Sequence, residues 1–339
     1  MANIKHHIAL GALATVFAGS AGAGQTSSIQ FDPDGNFSAS NAVQSVASFD
    51  WLPNSALVTS TVAGQSVTNP TFGSVVQAYS HARLGSILDG DGNKTGSLNG
   101  FELTFETGFR ETVSSFTGSI GFGSVGYQIT AGGDNFFRIY YDPSPGSNAL
   151  TGRGYGSDAV QDTAGAVLLL EGTVLPYDPT SGRGQSNFIT TGQTSTRLDN
   201  FGTNNYGTIS SVVGQGSSTL AVQITNIYRT DFFQNFRSGD LLLLDTQLNA
   251  PFTQVDPSSC FTTGSGTLIS GPGSPTGAPS GKSGCAGNKL GSRNGTTGPW
   301  FELQADASSS FLVVPEPGGI ALLGLGLGLL SLTRRKARH

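Results

Sequence analysis

The hexapeptide Phe101-Glu102-Leu103-Thr104-Phe105-Glu106 alternates strictly, with apolar side chains at the odd positions and polar ones at the even positions. Successive side chains of a strand point to opposite faces, so this pattern sets one face in a core and the other in water. Comparable segments follow at 124–130, 136–141, 166–175, 220–228, 240–247 and 300–304, and no long segment between the two ends of the chain shows a 3.6-residue apolar period. Strand follows strand without an intervening helix. That selects an all-β fold, an antiparallel β-sandwich (jelly-roll-like or related), over any βαβ arrangement. Ala131-Gly132-Gly133-Asp134-Asn135 has the chemistry of a hairpin turn. The runs 168–170 and 241–244 are short, leucine-rich and read as central strands buried on both faces. Segments 144–162, 177–187 and 265–292 read as Gly- and Ser-rich surface loops. The 49 glycines and the low charged fraction of 12% fit a turn-rich extracellular β-protein, and 37% hydrophobic residues suffice for a core.

The two ends have a different character. Residues 1–23 begin with Lys5, His6 and His7, continue with an apolar centre at 8–18, and end on Ala21-Gly22-Ala23. This is the pattern of a secretory signal, with Ala21 and Ala23 as the small residues that signal peptidase requires. At the other end Val314-Pro315-Glu316-Pro317 precedes an uncharged run, 318–332, and then Arg334, Arg335, Lys336 and Arg338. As a helix at ~1.5 Å per residue the run reaches roughly 22 Å, against about 30 Å of hydrocarbon, so it forms a short transmembrane segment. The basic cluster is a cytoplasmic stop, and the prolines hold an extended backbone that a protease can grip.

This tail resembles the PEP-CTERM sorting signal of exported bacterial proteins: Val314, Pro315, Glu316 and Pro317 match its motif, 318–332 its hydrophobic helix, and 334–338 its basic end. The resemblance implies recognition by an exosortase, a membrane-embedded enzyme that cuts near the motif, with transient anchoring in the inner membrane and delivery to the cell surface or extracellular matrix. An ordinary C-terminal anchor is the other reading. The chain divides into a signal peptide (1–23), a β-rich extracellular domain (24–311) and the sorting signal (312–339). Asn249-Ala250-Pro251-Phe252-Thr253-Gln254-Val255-Asp256-Pro257-Ser258, the stretch 300–311, and Phe31-Asp32-Pro33 resemble the flocculation-associated members of this group. That implies a non-enzymatic protein that holds cells together in extracellular polysaccharide.

Of 17 basic and 22 acidic residues, the mature part, 24–316, lacks only Lys5, Arg334, Arg335, Lys336 and Arg338, which leaves 12 basic against 22 acidic and a net charge of −10. Such a surface repels nucleic acid and suits neutral polysaccharide or divalent cations. Cys260 and Cys285 lie in the exported part, where an even pair forms a disulfide.

Candidate sites are few. Asp89-Gly90-Asp91-Gly92-Asn93 has the alternate oxygens of a calcium loop, but Lys94 and Gly100 stand where that loop needs a glycine and a bidentate glutamate. Asp32-Pro33-Asp34-Gly35-Asn36 lacks the same closure, and both read as turns. Glu102, Glu106 and Glu111, with Asp134 or Glu171 brought near by the fold, are the acids available to a two-carboxylate glycoside hydrolase. Their plainer reading is as solvated carboxylates on an exposed strand face. His81 is the only imidazole between the two end signals, which leaves no zinc site and no nucleophile–base pair. Phe136, Phe137, Tyr140, Tyr141, Tyr228, Phe232, Phe233 and Phe236 serve either as core or as a platform for sugar rings. The expectation is a non-catalytic matrix protein without metal or cofactor. A secreted glycoside hydrolase and a plain anchored envelope protein are the alternatives.

Overall fold

The structure is a computed structural model that describes residues 27–33, 44–62, 66–67, 70–96, 98, 100–119, 122–156, 166–207, 209–270, 293–294 and 300–314. The signal segment with Ala21 and Ala23, the motif residues Pro315, Glu316 and Pro317, the apolar run, Arg334, Arg335, Lys336 and Arg338, and Cys285 lie outside the described residues. In chain order the strands are β1 (Ile29–Phe31), β2 (Gln44–Val46), β3 (Ser48–Trp51), β4 (Asn54–Ser60), β5 (Val75–Leu88), β6 (Lys94–Thr95), β7 (Glu102–Ser119), β8 (Phe122–Ile129) and β9 (Phe136–Asp142). They continue as β10 (Val167–Val174), β11 (Gln185–Arg197), β12 (Ser210–Ile227), β13 (Leu241–Ala250), β14 (Cys260–Thr262), β15 (Leu268–Ser270), β16 (Arg293–Asn294) and β17 (Trp300–Leu312). No helix occurs among the described residues.

The antiparallel all-β expectation holds, but one sheet replaces the two stacked sheets of a sandwich. β5 pairs with β7 along one edge, and with β4 and then β3 along the other. β7 continues to β9 and β8, these to β10 and β11, and both of the latter to β12. From β12 the sheet runs through β13 to β17, which returns to β4 and β3. The circuit closes as a barrel of eight staves: five long strands and three staves each made of two strands end to end. Closure satisfies the ladder bonds that an open sheet leaves at its edges.

The three divided staves, β4 with β3, β8 with β9 and β11 with β10, break at one level of the barrel. Residues 131–135, expected to reverse the chain, do not. β8 and β9 lie in line along the same edge of β7. At the gap the Arg110 N–H donates to Asn135 Oδ1 at 2.8 Å, and Asn135 Nδ2 donates to the Thr130 carbonyl at 3.0 Å. The asparagine side chain replaces the missing ladder partners, and Gly133 at φ +73° lets the backbone step outward and return.

Above the break the barrel is solid. Phe49, Trp51, Leu103, Phe137, Ile139, Leu169, Leu242 and Phe311 pack there as one cluster, with Trp51 edge-on to Phe105 at 4.8 Å. The end is plugged by β1 and by Phe232, Phe233 and Phe236, and Phe31 lies 5.3 Å from Phe233. Those aromatics are therefore core; Tyr228 alone of the group is strongly exposed. Below the break the interior holds a smaller cluster around Val76, Phe188, Val212, Phe301 and Leu303. Outside, the hairpin β14–β15 and the loop after β9 cover one wall, where Leu57, Tyr79, Phe136 and Phe261 form a satellite cluster.

Candidate functional site

The lower half of the barrel is hollow. A cavity of about 110 Å³ runs from Phe105, Leu220, Leu244 and Ala307, at the underside of the packed cluster, to Val67, Pro70, Phe116 and Thr190 at the mouth. Eight strands give an interior that side chains either fill or leave open for one small ligand. Here the inward positions carry Ala56, Ala78, Ser80, Ala82, Ala305 and Ala307, and these small residues leave the space. Outward positions of β5 carry Gln77 and Arg83, and those of β8, β11 and β13 carry Gln128, Gln185 and Asp245. Apolar inside and polar outside is the reverse of a barrel whose outer face meets lipid.

One ionisable cluster interrupts this apolar lining. Glu111 of β7 and Ser186 of β11 meet inside the barrel, where the Ser186 hydroxyl donates to Glu111 Oε1 and lies 3.0 Å from Ser218 Oγ of β12. Burial pushes the Glu111 carboxyl up to about 7, against the smaller opposing effect of the Ser186 hydrogen bond. Tyr127 of β8 lines the same space; burial, then the charge of Glu111, raises its phenol. Thr107 and Ser80 also point inward, but their hydroxyls donate to the carbonyls of Phe136 at 2.8 Å and Ser55 at 2.9 Å. Glu111 shares the odd positions of β7 with Phe105 and Phe109, and that parity is the sequence signal for its place inside.

The other acids are not solvated as expected. Glu102 accepts the N–H groups of Gly146 at 3.1 Å and Ser147 at 2.9 Å, as well as the Ser147 hydroxyl at 2.8 Å. His81, Glu106, Arg138 and Glu171 are successive register partners across β5, β7, β9 and β10 on the outer wall. The loop after β9 and the β14–β15 hairpin roof the inner part of this row. The His81 ring lies between Tyr155 at 4.1 Å and Phe261 at 4.9 Å, while the Gly156 backbone sits against the Glu106 carboxyl so closely that a Cβ there would fall 2.1 Å from Cδ. Asn54 Nδ2 donates to the Tyr155 hydroxyl at 2.6 Å, and burial pushes that phenol up to about 12. Glu171 is held by Arg138 at 3.6 Å, the Tyr228 hydroxyl at 2.8 Å and Asn226 at 2.7 Å. Asp134 accepts the Gly264 N–H at 2.8 Å and so tethers the hairpin.

Asp89 spends Oδ1 on the N–H groups of Asp91 at 2.9 Å and Asn93 at 2.8 Å, which makes 89–93 the turn between β5 and β6. Among the described residues no group of three His, Cys, Asp or Glu side chains could hold a metal ion, and no helix is long and apolar enough to cross a membrane. Cys260 is fully buried at the start of β14; its expected partner, Cys285, lies outside the described residues. Val314 donates its N–H to Asp240 Oδ1 at 2.7 Å, so the chain leaves the barrel at the solid end, opposite the mouth. No protein-family model, no curated protein and no solved structure matches this chain.

Proposed function

We propose that the protein is an exported bacterial surface or matrix component that acts by association with extracellular polysaccharide and not by catalysis. In this reading signal peptidase acts after Ala23 and an exosortase near Val314-Pro315-Glu316-Pro317. The 318–332 helix anchors the chain only transiently, and Cys260 pairs with Cys285. The observation that carries the non-catalytic reading is the use of the carboxylates. A two-carboxylate hydrolase needs a pair flanking an open cleft, ~5–9.5 Å apart. Here Glu102 holds a loop by three hydrogen bonds, Glu106 lies under Gly156, and Glu171 is tied to Arg138, Asn226 and Tyr228.

Deletion of the gene should weaken cell aggregation or biofilm cohesion and leave polymer synthesis unchanged. Intact mass of the exported species should lack residues 1–23 and 318–339, and unreduced peptide maps should contain the Cys260–Cys285 cross-link. Depolymerisation of the polysaccharide by the purified protein, lost in Glu106→Gln, would instead make it a hydrolase. An exported species that keeps 318–339 would make it a plainly anchored envelope protein.

A further inference from the structure

The lumen is an internal site that the association reading leaves unused. Its wall is apolar above Glu111, on the side away from the mouth, where Ala78, Ala82, Ala305 and Ala307 face Phe105 and Leu244. From Glu111 to Phe105 the strand advances six residues. At ~3.3 Å per residue and a tilt near 40° this is on the order of 15 Å along the barrel axis. A cavity of about 110 Å³ that extends from Phe105 to the mouth is narrow for its length, and so fits a chain better than a fused ring system. Among the described residues no Lys, Arg or His lines it, so a ligand carboxylate there would meet no counter-charge from them and would face Glu111. Of the polar side chains that line it, Glu111, Ser186, Ser218 and Tyr127 lie together and can exchange hydrogen bonds with a neutral head.

The mouth carries the complementary feature. Phe72, before β5, is 79% exposed, and Phe122, at the β7–β8 tip, is 59% exposed. Phe116 is 37% exposed and lines the cavity as well. Phe72 follows Pro70-Thr71 and Phe122 precedes Gly123, and Pro70 and Gly123 line the cavity with Phe116, so exposed apolar surface of this kind lies at the end of the barrel where a chain would enter.

We propose that the barrel binds one single-chain, uncharged amphiphile, an alkyl chain with a hydroxyl or amide head, with the head at Glu111, Ser186 and Tyr127 and the chain directed toward Phe105. The occupant enters through the Phe72–Phe116–Phe122 rim. The site does not depend on where the protein is delivered or on what its outer wall holds, so failure of one reading leaves the other standing.

Calorimetric titration of the purified exported protein at pH 6 with 1-decanol, decylamine and decanoate tests the proposal. The expected result is saturable binding of one decanol per chain, with decylamine and decanoate at least tenfold weaker. Ala305→Phe, which fills the lumen, should weaken decanol binding at least tenfold. Ala78→Val fills less and serves the same arm if Ala305→Phe does not fold. Glu111→Leu removes a hydrogen-bonding partner of the head and should weaken decanol binding about fivefold; unchanged affinity in this variant would overturn the placement of the head at Glu111. Absence of saturable decanol binding, or equal binding by the filled variant, would overturn the internal site. Preference for decylamine would replace the neutral-head site by a cation site at Glu111, and preference for decanoate would overturn it in the opposite sense.

Discussion

Glu111 shares its side of β7 with Phe105, Thr107 and Phe109, so the two-residue period of the strand turns it into the lumen whatever its chemistry. Burial sets the consequence. The carboxyl titrates at about 7 in the folded protein against an ordinary 4.5, so the fold favours the protonated form. Its contribution to stability is complete below pH 4.5 and is lost as pH rises through 7. At about 1.4 kcal/mol per unit the span is worth about 3 kcal/mol. Tyr127 is the other titratable side chain lining the space, and its raised phenol stays protonated over this range. Glu111→Gln does not titrate. Relative to this variant, wild type should lose up to about 3 kcal/mol between pH 4.5 and pH 8 in urea unfolding. A difference independent of pH would place the carboxyl in water. In the sequence Glu111 reads with the solvated acids, although its odd position, shared with Phe105 and Phe109, sets it on the opposite face from Glu102 and Glu106. The burial of Glu102 and Glu106 was not legible, because it comes from segments 143–156 and 260–270, distant along the chain.

Seven strands were legible because their inward residues are large: β7, β8, β9, β10, β12, β13 and β17 all contain the segments that alternation or leucine content marks. Among the strands of the staves that escaped notice, β3 is only four residues long, too few to show a period, while β4, β5 and β11 share another physical reason. Their inward residues include Ala56, Ala78, Ser80, Ala82 and Ser186, too small or too polar to register as an apolar period. The residues that hollow the barrel are those that hide its strands. The misreading of 131–135 has a different origin. Gly-Gly-Asp-Asn suits a reversal and an outward step equally well, and only the register to β7 distinguishes them. If Asn135 joins β8 to β9 as its hydrogen bonds indicate, Asn135→Ala strands the Arg110 N–H and the Thr130 carbonyl. The expected cost is about 1–3 kcal/mol, with faster amide exchange at Arg110 and little change at Phe105. Unchanged protection at Arg110 would show that the side chain is dispensable to the joint.

At the scale of the molecule, the solid and hollow halves have separate clusters of side chains but the same staves. β5, β7, β12, β13 and β17 pass through both, and the split staves meet end to end at the break. A half-barrel cannot open without stripping ladder bonds from strands that the other half needs, and each backbone group left unpaired in a buried wall costs free energy. The sequence marked neither end of this arrangement as hollow or solid, since closure is a property of pairings far apart along the chain. Two tryptophans report on the halves separately. Trp51 sits in the packed interior, with its indole N–H on Ser309 Oγ at 3.0 Å, and Trp300 stands on the outer wall of the hollow half, packed against the cluster of Leu57, Tyr79, Phe136 and Phe261. In the single-tryptophan variants Trp51→Phe and Trp300→Phe, urea unfolding followed by fluorescence should coincide with unfolding followed by far-ultraviolet circular dichroism. The midpoint in Trp51→Phe should lie lower, because that variant loses a buried hydrogen bond, but both probes should shift together. A Trp300 signal that melts before the circular dichroism would mean that the hollow half opens by itself. The lumen would then be a separately folding unit and not a chamber held open by a shared wall.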